Sequence, residues 1–281
     1  MSTNKVWFIT GATSGFGRAL AEAAVGRGDV VVAAGRRTAL LDDLVTAHPD
    51  QVEATSLDVT DVATANAVVD DVVSRYGRID VLVNNAGRTQ VGAAEETTEQ
   101  ELHALFDLHF FAPAALTRAV LPDMRARRSG AVVMLSSMGG QMSFAGFSAY
   151  SATKFAIEGY AEGLADEVAP YGIKVLIVEP GAFRTNLFGK GAAYFSEPME
   201  AYADTVGPTR RLVESGDGRQ PGDPSKAAAA ILTALDAEQT PLRLPLGDDA
   251  VDAIRGHLEQ VSDEMGTRES LARRTAFDVM A

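Results

Sequence analysis

The sequence predicts an α/β fold built on a parallel sheet, and three observations point there. Short apolar runs rich in valine and alanine alternate with amphipathic stretches from residue 6 to residue 178. Alternation of this kind gives a parallel sheet with helices on both faces. A glycine cluster at 11–17 stands directly between the first apolar run and the first helical stretch. No internal repeat or linker interrupts the pattern before residue 185, so residues 1–281 are expected to form one domain.

The elements follow in order. Residues 6–10, Val-Trp-Phe-Ile-Thr, read as a buried strand, and 18–27 as a helix. Residues 30–34 are a second strand, 38–47 a helical stretch and 52–57 a third strand. A helix over 61–76 opens on Asp61, an N-cap or first-turn acid, and 79–83 is a fourth strand. The long helical region 99–127 is interrupted by Pro113 and Pro122. Residues 131–135 form a strand ahead of the helix that holds Tyr150, where Phe155, Ile157, Tyr160, Leu164 and Val168 recur at three- and four-residue steps. Residues 173–178 complete the alternation. Residues 186–223 break it with glycines, prolines and scattered aromatics, the composition of a lid. Beyond it, 224–236 is helical, 242–246 an edge strand, and 248–265 a closing helix within a C-terminal extension over 248–281.

Composition narrows the possible functions. The chain has 281 residues, 46% hydrophobic and 22% charged, enough apolar material for a sizeable core. With 25 basic and 38 acidic side chains the net charge is −13, which disfavours nucleic acid and anionic membrane as partners. There is no cysteine, hence no disulfide framework or thiolate chemistry, and no metal site is expected. Met-Ser-Thr-Asn-Lys passes at once into the first strand, so no signal peptide is expected. No uninterrupted apolar run approaches the ~20 residues of a membrane helix, and a cytoplasmic location is expected.

Two local patterns carry chemistry. Tyr150 and Lys154 stand one turn apart on the same helix face, shortly after Ser136 and Ser137 at a strand end. A hydroxyl, a phenol and an ammonium can therefore meet. A phenol titrates near pH ~10, and a nearby cation is expected to favour the phenolate. At the other end, Gly11 permits a tight turn and Gly15 a close approach of backbone to a pyrophosphate, with the helix N-terminus supplying donors. Thr13 and Ser14 could add hydroxyls. After the second strand come Gly35, Arg36 and Arg37, with no acid to bond a ribose. A guanidinium there suits a 2′-phosphate, so NADP(H) is expected, held by Arg36, with Arg37 a solvated residue.

Taken together, Thr10-Gly-Ala-Thr-Ser-Gly-Phe-Gly17, Leu57-Asp58-Val59, Asn84-Asn-Ala-Gly87, Ser137, Tyr150-x-x-x-Lys154 and Pro180-Gly181 resemble, in one order, the short-chain dehydrogenase/reductase family, in its single-domain branch. The resemblance spans about residues 5 to 247 and implies a three-layer Rossmann fold with a doubly wound sheet of seven strands. It implies that Gly11, Thr13, Ser14, Gly15, Phe16 and Gly17 cradle the cofactor, that Asp58 and Val59 border the adenine, and that Asn85, Ala86 and Gly87 line the adenosine side. Lys154 would bond the nicotinamide ribose, and Thr185, after Pro180 and Gly181, the carboxamide. Ser137 is assigned as the catalytic serine because the family's serine lies thirteen residues before the tyrosine; Ser136, pointing oppositely, packs on the other side.

One position departs from the family. His109, in Phe106-Asp-Leu-His109-Phe-Phe-Ala-Pro113, stands where the family has a relay asparagine. Pro113 lacks an N–H and leaves the His109 carbonyl free for a water, so the relay is expected to survive, with the imidazole shifting its pH response or merely packing. The implied reaction is NADP(H)-dependent interconversion of a ketone or aldehyde and an alcohol, with Tyr150 as proton donor. Met138, Gln141, Met142, Phe144 and Phe147, with Leu187, Phe188, Tyr194, Phe195, Met199 and Tyr202, suggest an apolar substrate beneath a lid. Phe183 and Arg184 could touch cofactor or substrate. The rival readings are a cofactor-binding regulator and an epimerase or dehydratase of the same family. The resemblance further implies a homodimer or homotetramer through the helices around 100–127 and 150–170.

Overall fold

The computed structural model describes residues 4–277. Its first strand, β1 (Val6–Thr10), is buried at every position, as expected for a strand covered on both faces. Trp7 and Ile9 point into the core on one side of the sheet, Val6 and Phe8 into the core on the other. Then follow α1 (Gly15–Val25), β2 (Val30–Gly35), α2 (Asp42–Ala47), β3 (Val52–Ser56), α3 (Val62–Tyr76) and β4 (Val81–Asn84). Asp61 caps α3, its carboxylate accepting from the Thr64 backbone N–H at 3.1 Å. Gly77 ends that helix in the left-handed conformation, φ 77°.

After a short β5 (Thr89–Val91), a helical run opens at Thr98, whose side chain and that of Glu101 form a reciprocal capping box. The run is α4 (Glu99–Phe106), a π-helical turn at Asp107–Phe111, and α5 (Ala112–Arg127). The π turn sits immediately before Pro113, which has no N–H to continue an α ladder. Pro122 stays inside α5 without ending it. Glu99–Arg127 is long and apolar enough by length and composition to cross a membrane, with a mean hydropathy of 1.3 over its best window. Half of that window is buried inside the fold, as in a core helix.

Next come β6 (Gly130–Leu135), α6 (Ser148–Val168), β7 (Ile173–Pro180), β8 (Ala193–Phe195), α7 (Gly207–Gly216), α8 (Pro224–Asp236), β9 (Arg243–Leu246) and α9 (Asp248–Ala272). The main sheet is parallel and seven-stranded, in the order β3-β2-β1-β4-β6-β7-β9. Helices α1 and α8 cover one face; α3, α5 and α6 cover the other. This is the Rossmann-like arrangement. The chain winds outward from β1 to β3, then returns beside β1 at β4, and that reversal opens a crevice at the strands' carboxyl ends.

Three features differ from the sequence-based expectation. Helix α1 begins at Gly15, not Arg18, because the glycine loop itself supplies the helix's first turn. Residues 186–223 are not formless: β8 pairs in parallel with β5, tying the lid to the segment after β4, and α7 follows. Helix α9 runs past residue 265 to Ala272. Only Ala250 and Ile254 near its start are buried, and the remainder projects from the body.

Candidate active site

The crevice is a cleft of about 650 Å³ running along the ends of β1, β2, β4, β6 and β7. At β1 the chain turns through Gly11, φ 64°, and Gly15, φ 55°, conformations that a side chain would strain. Asn85 holds this turn against β4: its side-chain amide donates to the carbonyls of Thr10 at 2.9 Å and Gly11 at 3.1 Å. The Thr10 hydroxyl completes the brace, donating to Val83 O and accepting from the N–H groups of Asn85 and Ala86. Gly17 is the exception among the predicted cofactor residues, being buried beneath the cleft rather than lining it. A Cβ there would stand 2.5 Å from Gly11 O and 2.6 Å from Asn85 Nδ2, so it is a packing glycine. The other predicted residues, Gly11, Thr13, Ser14, Gly15, Phe16, Arg36, Asp58, Val59, Asn85, Ala86, Gly87, Pro180, Gly181 and Thr185, all line the cleft.

Backbone open to the cleft at a helix N-terminus is what a pyrophosphate needs. Arg36 and Arg37 are both exposed at the rim, beyond β2. No carboxylate pairs with either among the described residues, although the charge of Arg36 helps lower the Asp58 pKa, which owes most to a hydrogen bond from Thr60. The residues present therefore fit a nicotinamide dinucleotide.

At the other end, Ser137, Tyr150, Lys154 and His109 converge on the same cleft. Ser137 caps a 3₁₀ turn after β6, its oxygen accepting from Gly139 N–H at 3.1 Å. Ser136 turns the other way, as strand alternation requires, and donates to Glu158 Oε1 at 2.7 Å. Lys154 is buried, and its ammonium donates to the Leu135 carbonyl at 2.8 Å, 5.7 Å from the centre of the Tyr150 ring. Burial pushes the lysine down to about 8, with Glu158 opposing. Burial also pushes the Tyr150 phenol up to about 12, with the Ser137 hydroxyl opposing. The expected acidification of the phenol by the ammonium is not seen here: desolvation penalises the phenolate, and the group that opposes it is the Ser137 hydroxyl, not Lys154.

His109 lies in the π turn, and its ring is wholly buried. Its Nε2 accepts from the Arg88 backbone N–H at 3.1 Å, so the proton resides on Nδ1, which faces the Thr153 hydroxyl at 2.9 Å. Thr153 in turn donates to the Tyr150 carbonyl at 2.7 Å. The ring stands edge-on to Tyr150, centroids 5.6 Å apart. Burial, then the charges of Lys154 and Arg88, hold its pKa well below the usual imidazole value. The imidazole is a neutral brace between β5 and α6. Of the two roles expected for the imidazole, shifting the pH response and merely packing, its burial and its two bonded nitrogens favour packing.

Of the expected lid residues, Leu187, Phe188 and Tyr194 line the cleft. Met138, Met142, Phe144, Phe195, Met199 and Tyr202 do not. Phe147 packs against Tyr150, and Tyr202 bonds Glu95, because the lid has its own small core to fill. Gln141 leaves the cleft for a buried carboxylate pair, donating to Glu158 at 2.5 Å and Glu179 at 2.9 Å. Phe183 stacks on Phe16 at 5.0 Å and closes the glycine loop, while Arg184 donates to Gln220 O as a structural tie. Sequence reasoning missed Leu108 and Arg88 in the cleft wall. Position next to Asn84–Gly87 was the signal available for Arg88. Among the described residues no three His, Asp or Glu side chains are grouped to hold a metal ion.

The chain is similar to known proteins throughout this site. The family model described as short chain dehydrogenase matches residues 5–193. A crystal structure of a short-chain dehydrogenase from Streptomyces avermitilis is 67% identical, covers 98% of this chain and 100% of its own, and superposes with a TM-score of 0.93. Oxidoreductase BOA17 of Botryotinia fuckeliana is 37% identical over 273 residues, 95% of this chain and 98% of that protein. A short chain dehydrogenase/reductase from Burkholderia phymatum, crystallised with NAD, has the same fold at a TM-score of 0.81 and 21% identity, covering 99% of this chain and 98% of its own.

Proposed function

The chain belongs to the short-chain dehydrogenase family, oxidoreductases that use a nicotinamide cofactor, and from that premise we propose that it interconverts a ketone or aldehyde and the corresponding alcohol, with NADP(H), on a substrate with an apolar body. The observation that carries this reading is the meeting of Ser137, Tyr150 and Lys154 in the same cleft as the glycine loop. Bound along that cleft, NADP(H) would supply the hydride added to the carbonyl carbon and, in the reverse direction, accept it. Asp58 and Val59 would border its adenine, Asn85, Ala86 and Gly87 its adenosine side, Lys154 its nicotinamide ribose and Thr185 its carboxamide.

Tyr150 gives its proton to the substrate oxygen as negative charge builds there. A phenol held protonated by burial is in the right state for this at neutral pH. Ser137 bonds the same oxygen and fixes it at reacting distance. In oxidation Tyr150 must act as the phenolate, which takes the alcohol's proton and becomes the phenol, and Lys154 one turn along is the cation available to favour that phenolate. Proton transfer from a positioned side chain is worth about 10²–10⁴-fold. The exposed, unpaired Arg36 supports NADP(H) over NAD, against the NAD-bound Burkholderia relative. Leu108, Leu187 and Phe188 support an apolar substrate body.

A screen of ketones and aldehydes with NADPH, followed by loss of nicotinamide absorbance, tests the reading. With a competent substrate, Tyr150→Phe is expected to lower turnover by at least about 10²-fold while NADPH still binds. Turnover that survives the substitution would remove Tyr150 from the chemistry. Cofactor binding with no turnover of any carbonyl would favour a regulator.

A further inference from the structure

The substrate end of the cleft carries a guanidinium that the protein leaves without a counter-charge. Arg88 follows the Asn84–Gly87 turn and lines the cleft. Its backbone N–H is bonded to the His109 ring, which stands against Tyr150, so the residue starts one ring away from the phenol. Its guanidinium lies over the Tyr194 ring, 4.2 Å from the centroid. The Nε is buried with no acceptor. Among the described residues no carboxylate pairs with this side chain, and no protein oxygen accepts from it. Other half-buried arginines in this acidic chain are spoken for: Arg127 by Asp80 and Asp123, Arg210 by Glu96, Arg243 by Glu158 and Glu162.

The contact with Tyr194 ties the residue before β5 to the lid strand β8, but the face of that ring offers the guanidinium no hydrogen-bond acceptor. The terminal N–H donors of Arg88 have no protein acceptor among the described residues and stay available to a ligand in the cleft, whereas the Nε is shut off from it. Stacking therefore fixes the fork's orientation without satisfying it. A buried charged donor with no partner is costly, and a planar fork is matched in shape and charge by a carboxylate. Leu108, Leu187 and Phe188 give the same cleft apolar wall, beside the polar side chains of Asn186, Lys190, Asp217 and Gln220. We infer that the substrate is an oxo acid: an apolar carbonyl compound bearing a carboxylate, which Arg88 clamps while Tyr150 and Ser137 hold the reacting oxygen. This rests on the carbonyl–alcohol reading above and adds the anionic group to it.

The test pairs aryl and alkyl oxo acids with their methyl esters, using the full-length protein and NADPH. The acids are expected to exceed the esters in kcat/KM by about 10–100-fold, mostly through KM. Arg88→Ala is expected to bring that ratio to within about threefold of unity. Tyr194→Leu removes the contact that orients the fork but keeps its charge, so its acid preference should fall less than in Arg88→Ala; equal loss in both variants would make Arg88 a lid fastening only. Esters used as well as acids by the wild type, or an acid preference that survives Arg88→Ala, would overturn the inference. Calorimetric titration of the protein–NADP⁺ complex with the matching hydroxy acids and esters separates this from failure of the redox reading. Acid binding lost in Arg88→Ala, without turnover of any pair, sustains the anion site and places the failure in the chemistry. Absence of acid binding to the wild type sinks the anion site.

Discussion

At the scale of single residues, the proposed preference for NADP(H) rests on one side chain just past β2. Gly35 lets Thr13 approach, its methyl only 2.8 Å from where a Cβ would stand, and Arg36 follows in no ion pair among the described residues, with Asp58 the acid that feels its charge. A guanidinium bonded to a phosphate contributes about 1.5–3 kcal/mol. Arg36→Ala is accordingly expected to weaken NADPH by roughly 10–100-fold and to leave NADH affinity within about threefold, as read by nicotinamide fluorescence titration. Equal losses for both cofactors would mean that Arg36 does not contact the 2′-phosphate. His109 teaches a different lesson at the same scale. Its place in the sequence suggested a relay through its backbone carbonyl; the two ring nitrogens are committed to Arg88 and Thr153, and burial holds the imidazole well below its usual pKa.

Among elements, the junction of α6, β7 and β9 holds ionisable groups that the proposed chemistry does not use. Glu158 from α6 and Glu179 from β7 face one another, with Arg243 of β9, Gln141 and Ser136 around them and Lys154 and Glu162 on the same helix. Burial, then the charge of Glu158, pushes the Glu179 carboxyl up to about 8. In the unfolded chain it releases its proton near 4.5. Between those values the folded state binds more protons, so this group's contribution to stability falls as pH rises from about 4.5 to about 8. Glu179→Gln keeps the shape and removes the titration. Thermal melts at pH 5 and pH 8 are expected to show the wild type losing on the order of a few degrees more than the variant. Identical losses would show that Glu179 ionises normally.

For the whole molecule, the sheet's winding places the glycine loop and the Tyr150 helix on one crevice although they stand far apart in the chain. Phe111 and Phe155 remain exposed on the helical layer formed by α5 and α6. A homodimer or homotetramer that covers this layer is our proposal; light scattering on the eluting protein is expected to give a multiple of 29.6 kDa, and Phe155→Glu to lower it. A wild type that elutes as a monomer would refute it. Strand order in the chain, the crevice residues and the serine–tyrosine–lysine set were legible in the sequence, because alternating hydrophobicity and motifs within one strand–turn–helix unit are local properties. Beyond them, the tertiary structure alone decided that Gly17 packs instead of lining the cleft, that Phe147 packs on Tyr150 while Phe144 and Phe195 stay exposed outside the cleft, that burial governs the Tyr150 phenol, and that Arg88 meets Tyr194 and no acid. Each depends on groups distant in sequence whose approach sets the local dielectric and the available partners, and no one-dimensional pattern encodes that distance.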